Sequence, residues 1–152
     1  MIDRELAAFL EAGLVIHLGT RNASLEPWGA RVTAVTVDAD GSHVTAYVPK
    51  VAAGRVLRDL EDNGLAALVF VRPTDDRACQ VKGTFVGSRA ARSPERSAVM
   101  AQWDHVLGTL ERIGIPRALS NAWTTWPAVA LRVRVTDLFN QTPGPGAGAS
   151  LR

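Results

Sequence analysis

The apolar positions of the chain follow a helical period in three stretches and a strand period in six. From Asp3, a residue type that caps helices, Leu6, Phe9 and Leu10 recur at helical spacing until Gly13 supplies a left-handed stop. Strand-like runs follow at 14–20 (LVIHLGT), 29–37 (GARVTAVTV) and 43–48 (HVTAYV), and Asp38-Ala39-Asp40-Gly41 suits a tight hairpin between the last two. Residues 51–64 place Val56, Leu57 and Leu60 on one side and end in Asn63-Gly64, which predicts a short helix. The runs 65–71 (LAALVFV) and 78–86 flank the turn-rich segment from Arg72 to Asp76, a second hairpin. Ser93-Pro94 reads as an N-cap with proline at the first helical position, and Val99, Trp103, Val106, Leu107 and Leu110 mark one apolar stripe up to Gly114. In the last run, 128–135, Val129, Leu131, Val133 and Val135 share a face opposite Arg132 and Arg134. Beyond it NQTPGPGAGASLR is too rich in Gly and Pro to continue either element, so 140–152 reads as a loop or tail after a single domain, 1–139.

Six short strands with hairpin connections and three helices predict a mainly β fold, a small antiparallel barrel with peripheral α-helices, rather than an alternating parallel sheet. Incomplete closure leaves sheet edges, which a symmetric dimer commonly covers. The totals agree with one domain: 152 residues, 47% hydrophobic, with a mean hydropathy of +0.05. No apolar run approaches the roughly 20 residues that span a bilayer, and no basic-then-apolar leader opens the chain, so the expectation is a cytoplasmic protein with no membrane contact. Cys79 has no second cysteine to pair with, and His17, His43 and His105 are scattered, which argues against a disulfide scaffold or a metal site. A net charge of +2 is too small for a nucleic-acid footprint. Charge is nonetheless uneven. Residues 1–47 hold three arginines against six acids, whereas Arg77 to Arg96 holds five basic residues against Glu95 alone; that stretch faces either solvent or an anion.

Candidate chemistry concentrates on the middle strands. In 78–86, Cys79, Val81 and Phe85 mark a core side, while Gln80, Lys82 and Thr84 face water or a polar ligand, and Gly83 admits a close approach to the backbone. Arg31 and Thr33 on one strand and His43, Thr45 and Tyr47 on the next could join them, although the solvent side of any antiparallel sheet gives a similar pattern. Lys50 stands where a strand gives way to a helix, so its ammonium and the helix amides could meet a phosphate, with Arg55 about one turn further on. No nucleophile elbow, Walker loop or dinucleotide fingerprint is present, and no catalytic side chain stands out. Asp75-Asp76 and Asp38/Asp40 sit in turns, where aspartate serves the backbone, and His17 on an apolar strand reads as a packed histidine.

The strand LVIHLGTRN, the hairpin RVTAVTVDADGSHVTAYVP, the helix end LRDLEDNGLAALVF and the strand CQVKG together resemble the pyridoxamine 5′-phosphate oxidase-like, FMN-binding split-barrel family, over residues 6–139. Gln80-Val81-Lys82-Gly83 is similar to that family's Gln-Val-x-x-Gly pattern in compressed form, and LFNQTPGPGAG is similar to a tail found in an uncharacterised branch. The resemblance implies a six-stranded antiparallel split β-barrel holding FMN at a homodimer interface. By position, Arg31, Val32, Thr33 and Ala34 as far as Val35 would lie along the flavin. Tyr47, Val48, Pro49 and Lys50 would begin the phosphate turn, and Gln80 and Lys82 would approach the ring or ribityl chain. Two positions depart from the family. Val51-Ala52-Ala53-Gly54 replaces the Ser/Thr-x-Lys/Arg phosphate clamp, leaving Lys50 and Arg55 as substitutes, and Pro49 stands in place of a Thr. Trp123, Trp126 or the 140s of the second subunit would cover the ring. The implied function is an FMN-dependent oxidoreductase acting on a small molecule or NAD(P)H, the cofactor carrying the chemistry. The alternatives are an F420-dependent reductase, a non-catalytic flavin- or haem-binding module and a cofactor-free scaffold.

Overall fold

In the computed structural model, which describes residues 1–151, seven antiparallel strands form one sheet in the order β2-β1-β5-β6-β7-β4-β3. These are β1 (Val15–Arg21), β2 (Pro27–Val32), β3 (Ala34–Val37), β4 (His43–Pro49), β5 (Leu65–Arg72), β6 (Arg77–Ala90) and β7 (Ala128–Asn140). The helices are α1 (Arg4–Leu10), α2 (Lys50–Asn63), α3 (Arg96–Arg112) and α4 (Arg117–Ser120), with a 3-10 turn at Ser93–Glu95.

Strands β2 and β3, at opposite ends of that order, are halves of one run broken at Thr33. Arg31 pairs with His17 on β1, while Ala34 pairs with Tyr47 on β4 and the Thr33 N–H donates to the Tyr47 carbonyl at 2.8 Å. The sheet therefore curls until a single bent segment serves both of its ends, giving the split-barrel architecture. The sixfold strand pattern of the sequence becomes seven strands because its second run bends.

Inward positions of these strands form the core. Ile16 and Leu18, Val32 and Val35, Val44 and Val48, Leu68 and Phe70, Val81, Leu131 and Val133 are essentially inaccessible. Helix α2 adds Ala53, Val56 and Leu60 to this core, and buried Asp59 accepts from the Thr20 hydroxyl at 2.7 Å. It ends at Gly64, whose φ of 72° closes it in the left-handed region, as Asn63-Gly64 predicts. Asp3 caps α1 through the Leu6 N–H at 2.8 Å. All five stripe residues of α3 are buried. Its start differs from expectation: Ser93 and Pro94 lie in the 3-10 turn, where Glu95 takes the Arg92 N–H at 2.6 Å, and the α-helix begins at Arg96.

The Gly/Pro-rich tail has a structural role. It turns at 143–148 and runs back beside β7, with Asn140 N–H to the Ala149 carbonyl and Leu151 N–H to the Leu138 carbonyl, both at 2.9 Å. Beyond Arg134 the ladder to β4 has ended, so the tail satisfies an edge that would otherwise be bare. The Thr142 hydroxyl clips it to Ala78 on β6. Arg152 lies outside the described residues. No helix among the described residues is long and apolar enough to cross a membrane.

Candidate functional site

The antiparallel register places Arg31, His17, Val69, Gln80 and Phe139 in one row on the outer face of β2, β1, β5, β6 and β7. The neighbouring row is Gly29, Gly19, Ala67, Lys82 and Asp137. Arg31 and Gln80 thus share a face about 14 Å apart, three strand spacings. In the second row three of five residues carry little or no side chain, and a groove of about 590 Å³ opens there. Gly19 and Ala67 form its floor; Arg21, Lys82 and Thr84 supply donors, and Asp137 one carboxylate. Neither Arg21 nor Lys82 is in an ion pair among the described residues, and the Lys82 ammonium lies 5.0 Å from the Phe139 ring centre. A flat apolar floor beside two unpaired cations fits a planar, phosphorylated ring such as FMN in shape and charge.

Gly83 lines the same groove, but its lack of a side chain answers to β7. A Cβ there would lie 2.3 Å from the Arg134 carbonyl oxygen and 2.5 Å from Val133 Cγ1, beside a break in register at Lys82/Gly83. The close approach expected at this glycine is made by the neighbouring strand.

The other sequence candidates fall into three places. Val32 and Val48 point into the core, and Thr33 is buried with its hydroxyl unpartnered. Ala34, Tyr47 and Trp126 meet in a small cluster with Val99, Ala128 and Ala130. Lys50, exposed, opens α2, its N–H bonded to the Pro127 carbonyl at 2.9 Å; Pro49 before it is buried. Arg55 stacks on Trp28 at 4.4 Å and faces Glu26 at 3.7 Å, so a carboxylate already accompanies it.

Arg31 does not face open solvent. Its guanidinium sits 4.7 Å from the Trp103 ring centre and 5.0 Å from that of Trp123, and donates to the Thr124 carbonyl at 2.9 Å. One of its nitrogens is buried without a partner, and burial pulls the group below its ordinary pKa. This clamp ties β2 to α3 and the segment after it.

Sequence reasoning missed the tryptophan clamp, Gln102 and the acid-base knot at Glu95. The signals present were the α3 stripe, which places Trp103 inward, and the uninterrupted apolar run of β5, which marks a strand with both faces apolar. Most of the basic Arg77 to Arg96 stretch is occupied within the chain. Arg77 lies over Phe9 and reaches Glu5; Arg89 and Arg92 both bond Glu95. The Tyr47 hydroxyl donates to the same carboxylate at 3.0 Å. Hydrogen bonds from Arg89 above all, then from Arg92 and Tyr47, hold Glu95 far below the usual carboxylate range despite partial burial. A carboxylate depressed on folding stabilises the fold fully above its unfolded value of about 4.3; that stability begins to fall below it and is lost only as pH falls through the lower folded value. Glu95→Gln should therefore cost about 1–2 kcal/mol at pH 7. In urea melts the gap from the parent chain should narrow below about pH 4 yet persist at pH 3, where the folded carboxylate still holds its charge; a gap independent of pH would show that the charge contributes nothing.

Cys79 is buried, and burial pushes its thiol up to about 11, which removes it as a nucleophile at neutral pH. Folding does bring Asp38, Asp40 and His43 together, with candidate ligand atoms within 4.8 Å. These atoms serve the hairpin: Asp38 accepts from Arg132 at 2.5 Å, and Asp40 from the Ser42 N–H and hydroxyl at 2.9 and 2.6 Å.

No protein-family model matches the chain, and no curated protein matches it. Solved structures do. HupZ from Group A Streptococcus aligns over 97% of this chain and 100% of its own, with a TM-score of 0.58 and 19% identity. A putative pyridoxamine 5′-phosphate oxidase from Lactobacillus delbrueckii aligns over 90% and 92%, with a TM-score of 0.55 and 16% identity. An F420 reductase aligns over 86% and 93%, with a TM-score of 0.54 and 20% identity. At these identities the likeness concerns the fold alone: with the bent-strand closure and the helices around it, the chain has the split-barrel fold that these structures share.

Proposed function

We propose that the chain is an FMN-dependent oxidoreductase acting as a homodimer on a small molecule or NAD(P)H, with the flavin lying in the groove over Gly19 and Ala67. The groove carries this reading: about 590 Å³, an apolar floor at Gly19 and Ala67, and Arg21 and Lys82, neither in an ion pair among the described residues. Lys82 and Arg21 neutralise the phosphate or the electron-rich edge of the ring, Thr84 donates to a polar edge, and Gln80 stands one row further along β6. When bound, FMN supplies hydride and single-electron transfer, so no nucleophile is required of the protein. A second copy supplies the roof. Leu65 is about half exposed, and Ala67, Val69 and Val71, each partly exposed, continue its outward apolar line along β5. Closing such a groove excludes water and strengthens the cation contacts. Lys50 and Arg55 would serve the phosphate only in rearranged positions, since Glu26 and Trp28 hold Arg55.

The freshly purified protein should be yellow, and acid denaturation should release FMN identifiable by mass spectrometry. Sedimentation should give a dimer. Lys82→Ala should weaken FMN binding at least tenfold while leaving the melting temperature within about 2 °C, as expected of an exposed site. Colourless protein that fails to take up FMN at micromolar concentration would overturn the proposal.

A further inference from the structure

A second cavity, sharing no lining residue with the groove, opens between helix α2 and the connection from β1 to β2. Its volume is about 490 Å³. Arg55, Arg58, Asp59 and Asp62 stand at i, i+3, i+4 and i+7 and form one stripe of α2 along its wall, while Asn22, Ser24 and Glu26 line it from the connection.

Part of this charge is engaged within the chain. Glu26 faces Arg55 at 3.7 Å and accepts from the Asn22 side chain at 2.7 Å, and Arg55 stacks on Trp28 at 4.4 Å. Three other groups are left over. Asp59 is only 5% exposed, and the Thr20 hydroxyl bonds one of its oxygens at 2.7 Å. The other oxygen has no hydrogen-bond partner among the described residues and is reachable from the cavity that Asp59 lines. Asp62, one turn on, meets only the Asn63 side chain, at 3.4 Å. Arg58 is in no ion pair among the described residues, although it stands next to Asp59 and four residues before Asp62.

We infer that this cavity binds the zwitterion of an α-amino acid, its ammonium shared by Asp59 and Asp62 and its carboxylate taken by Arg58. A nearly buried carboxylate oxygen without a donor is costly, and an ammonium carries N–H groups enough for both acids. A simple cation would meet Arg58, and a simple anion would meet two carboxylates. A molecule with both charges on neighbouring atoms satisfies all three groups at once, which is how charge arrangement selects one ligand class against others. The remaining volume, bordered by Asn22 and Ser24, suits a polar side chain. The site stands whether or not flavin occupies the groove.

The test is thermal melting of the full-length chain with each common L-amino acid at about 10 mM, followed by titration of those that raise the midpoint. A dissociation constant of about 1 mM should raise it by about 3 °C or more. Asp59→Asn, which keeps an oxygen for Thr20, and Arg58→Gln should each weaken binding about tenfold or more, the scale of a hydrogen bond to a charged group. The N-acetylated form lacks the ammonium and the methyl ester lacks the carboxylate, so neither should shift the midpoint. Putrescine reads the acidic pair alone and should shift it less than the amino acid does. No shift with any amino acid, equal binding of a blocked form, a larger shift with putrescine, or undiminished binding to Arg58→Gln would overturn the inference. Should Asp59→Asn not fold, Asp62→Asn and Arg58→Gln, both at exposed positions, are judged by the same criteria.

Discussion

Gly83→Ala should destabilise the fold by about 3 kcal/mol or more, at the upper end of what overpacking costs. The added carbon would meet the Arg134 carbonyl at 2.3 Å and Val133 Cγ1 at 2.5 Å, and one of these is backbone. Relief requires β6 and β7 to separate at the point where their register already breaks, between Lys82 and Gly83. That pair of strands is the longest ladder in the sheet, running from Cys79 with Asn140 to Ala90 with Val129. Gly87, four residues on in the same strand, has nothing within 4 Å of a built Cβ. Gly87→Ala should therefore change stability by less than about 0.5 kcal/mol, or raise it through lost freedom in the unfolded chain. Urea melts of the two variants decide the matter; similar losses for both would mean that glycine at 83 is not required by the β6–β7 contact.

Removing the Trp103 ring should cost about 3–5 kcal/mol, the range for truncating a buried aromatic. Trp103 is 5% exposed, packs with Val106, Leu107 and Leu110, and forms one face of the clamp on Arg31. Its loss uncovers a guanidinium that already has one buried nitrogen unpartnered. At about 2–4 °C per kcal/mol for a chain of this size, the melting temperature should fall by roughly 10 °C. Trp123 supplies the other face but is 46% exposed, its ring centre 5.9 Å from that of Trp103. Trp123→Ala should cost only about 1 kcal/mol, the scale of an exposed cation–π contact. Equal losses at the two positions would place the clamp's energy in Arg31 stacking rather than in core packing. Both results bear on how α3 seats on β3, because the helix also carries Gln102, which bonds the Val35 backbone.

Individual residues show where sequence reading reached and where it stopped. The pair Asn63-Gly64 announces a helix end because only the local φ at one residue is at stake. The stripe from Val99 to Leu110 announces a buried face for the same kind of reason, since 3.6-residue spacing is a property of a single helix. Lys82 was visible as an outward cation in a strand, but its neighbours in the groove, Gly19, Ala67 and Asp137, come from three other strands. No spacing along the chain brings them together. Arg31 likewise looked free for a ligand until α3, more than 60 residues away, laid Trp103 against it.

The amino-acid pattern by itself determined most of the strands and helices, the two hairpins and the inward faces, because each depends on periodicity or turn chemistry within about a dozen residues. Tertiary structure alone decided that the run 27–37 bends at Thr33 to serve both ends of the sheet, that the Gly/Pro tail covers the free edge of β7, and that α3 clamps Arg31 and pairs Gln102 with Val35. Those outcomes depend on which distant strands and helices share an edge. Each is the sum of many weak contacts between residues remote in sequence, and no local segment encodes it.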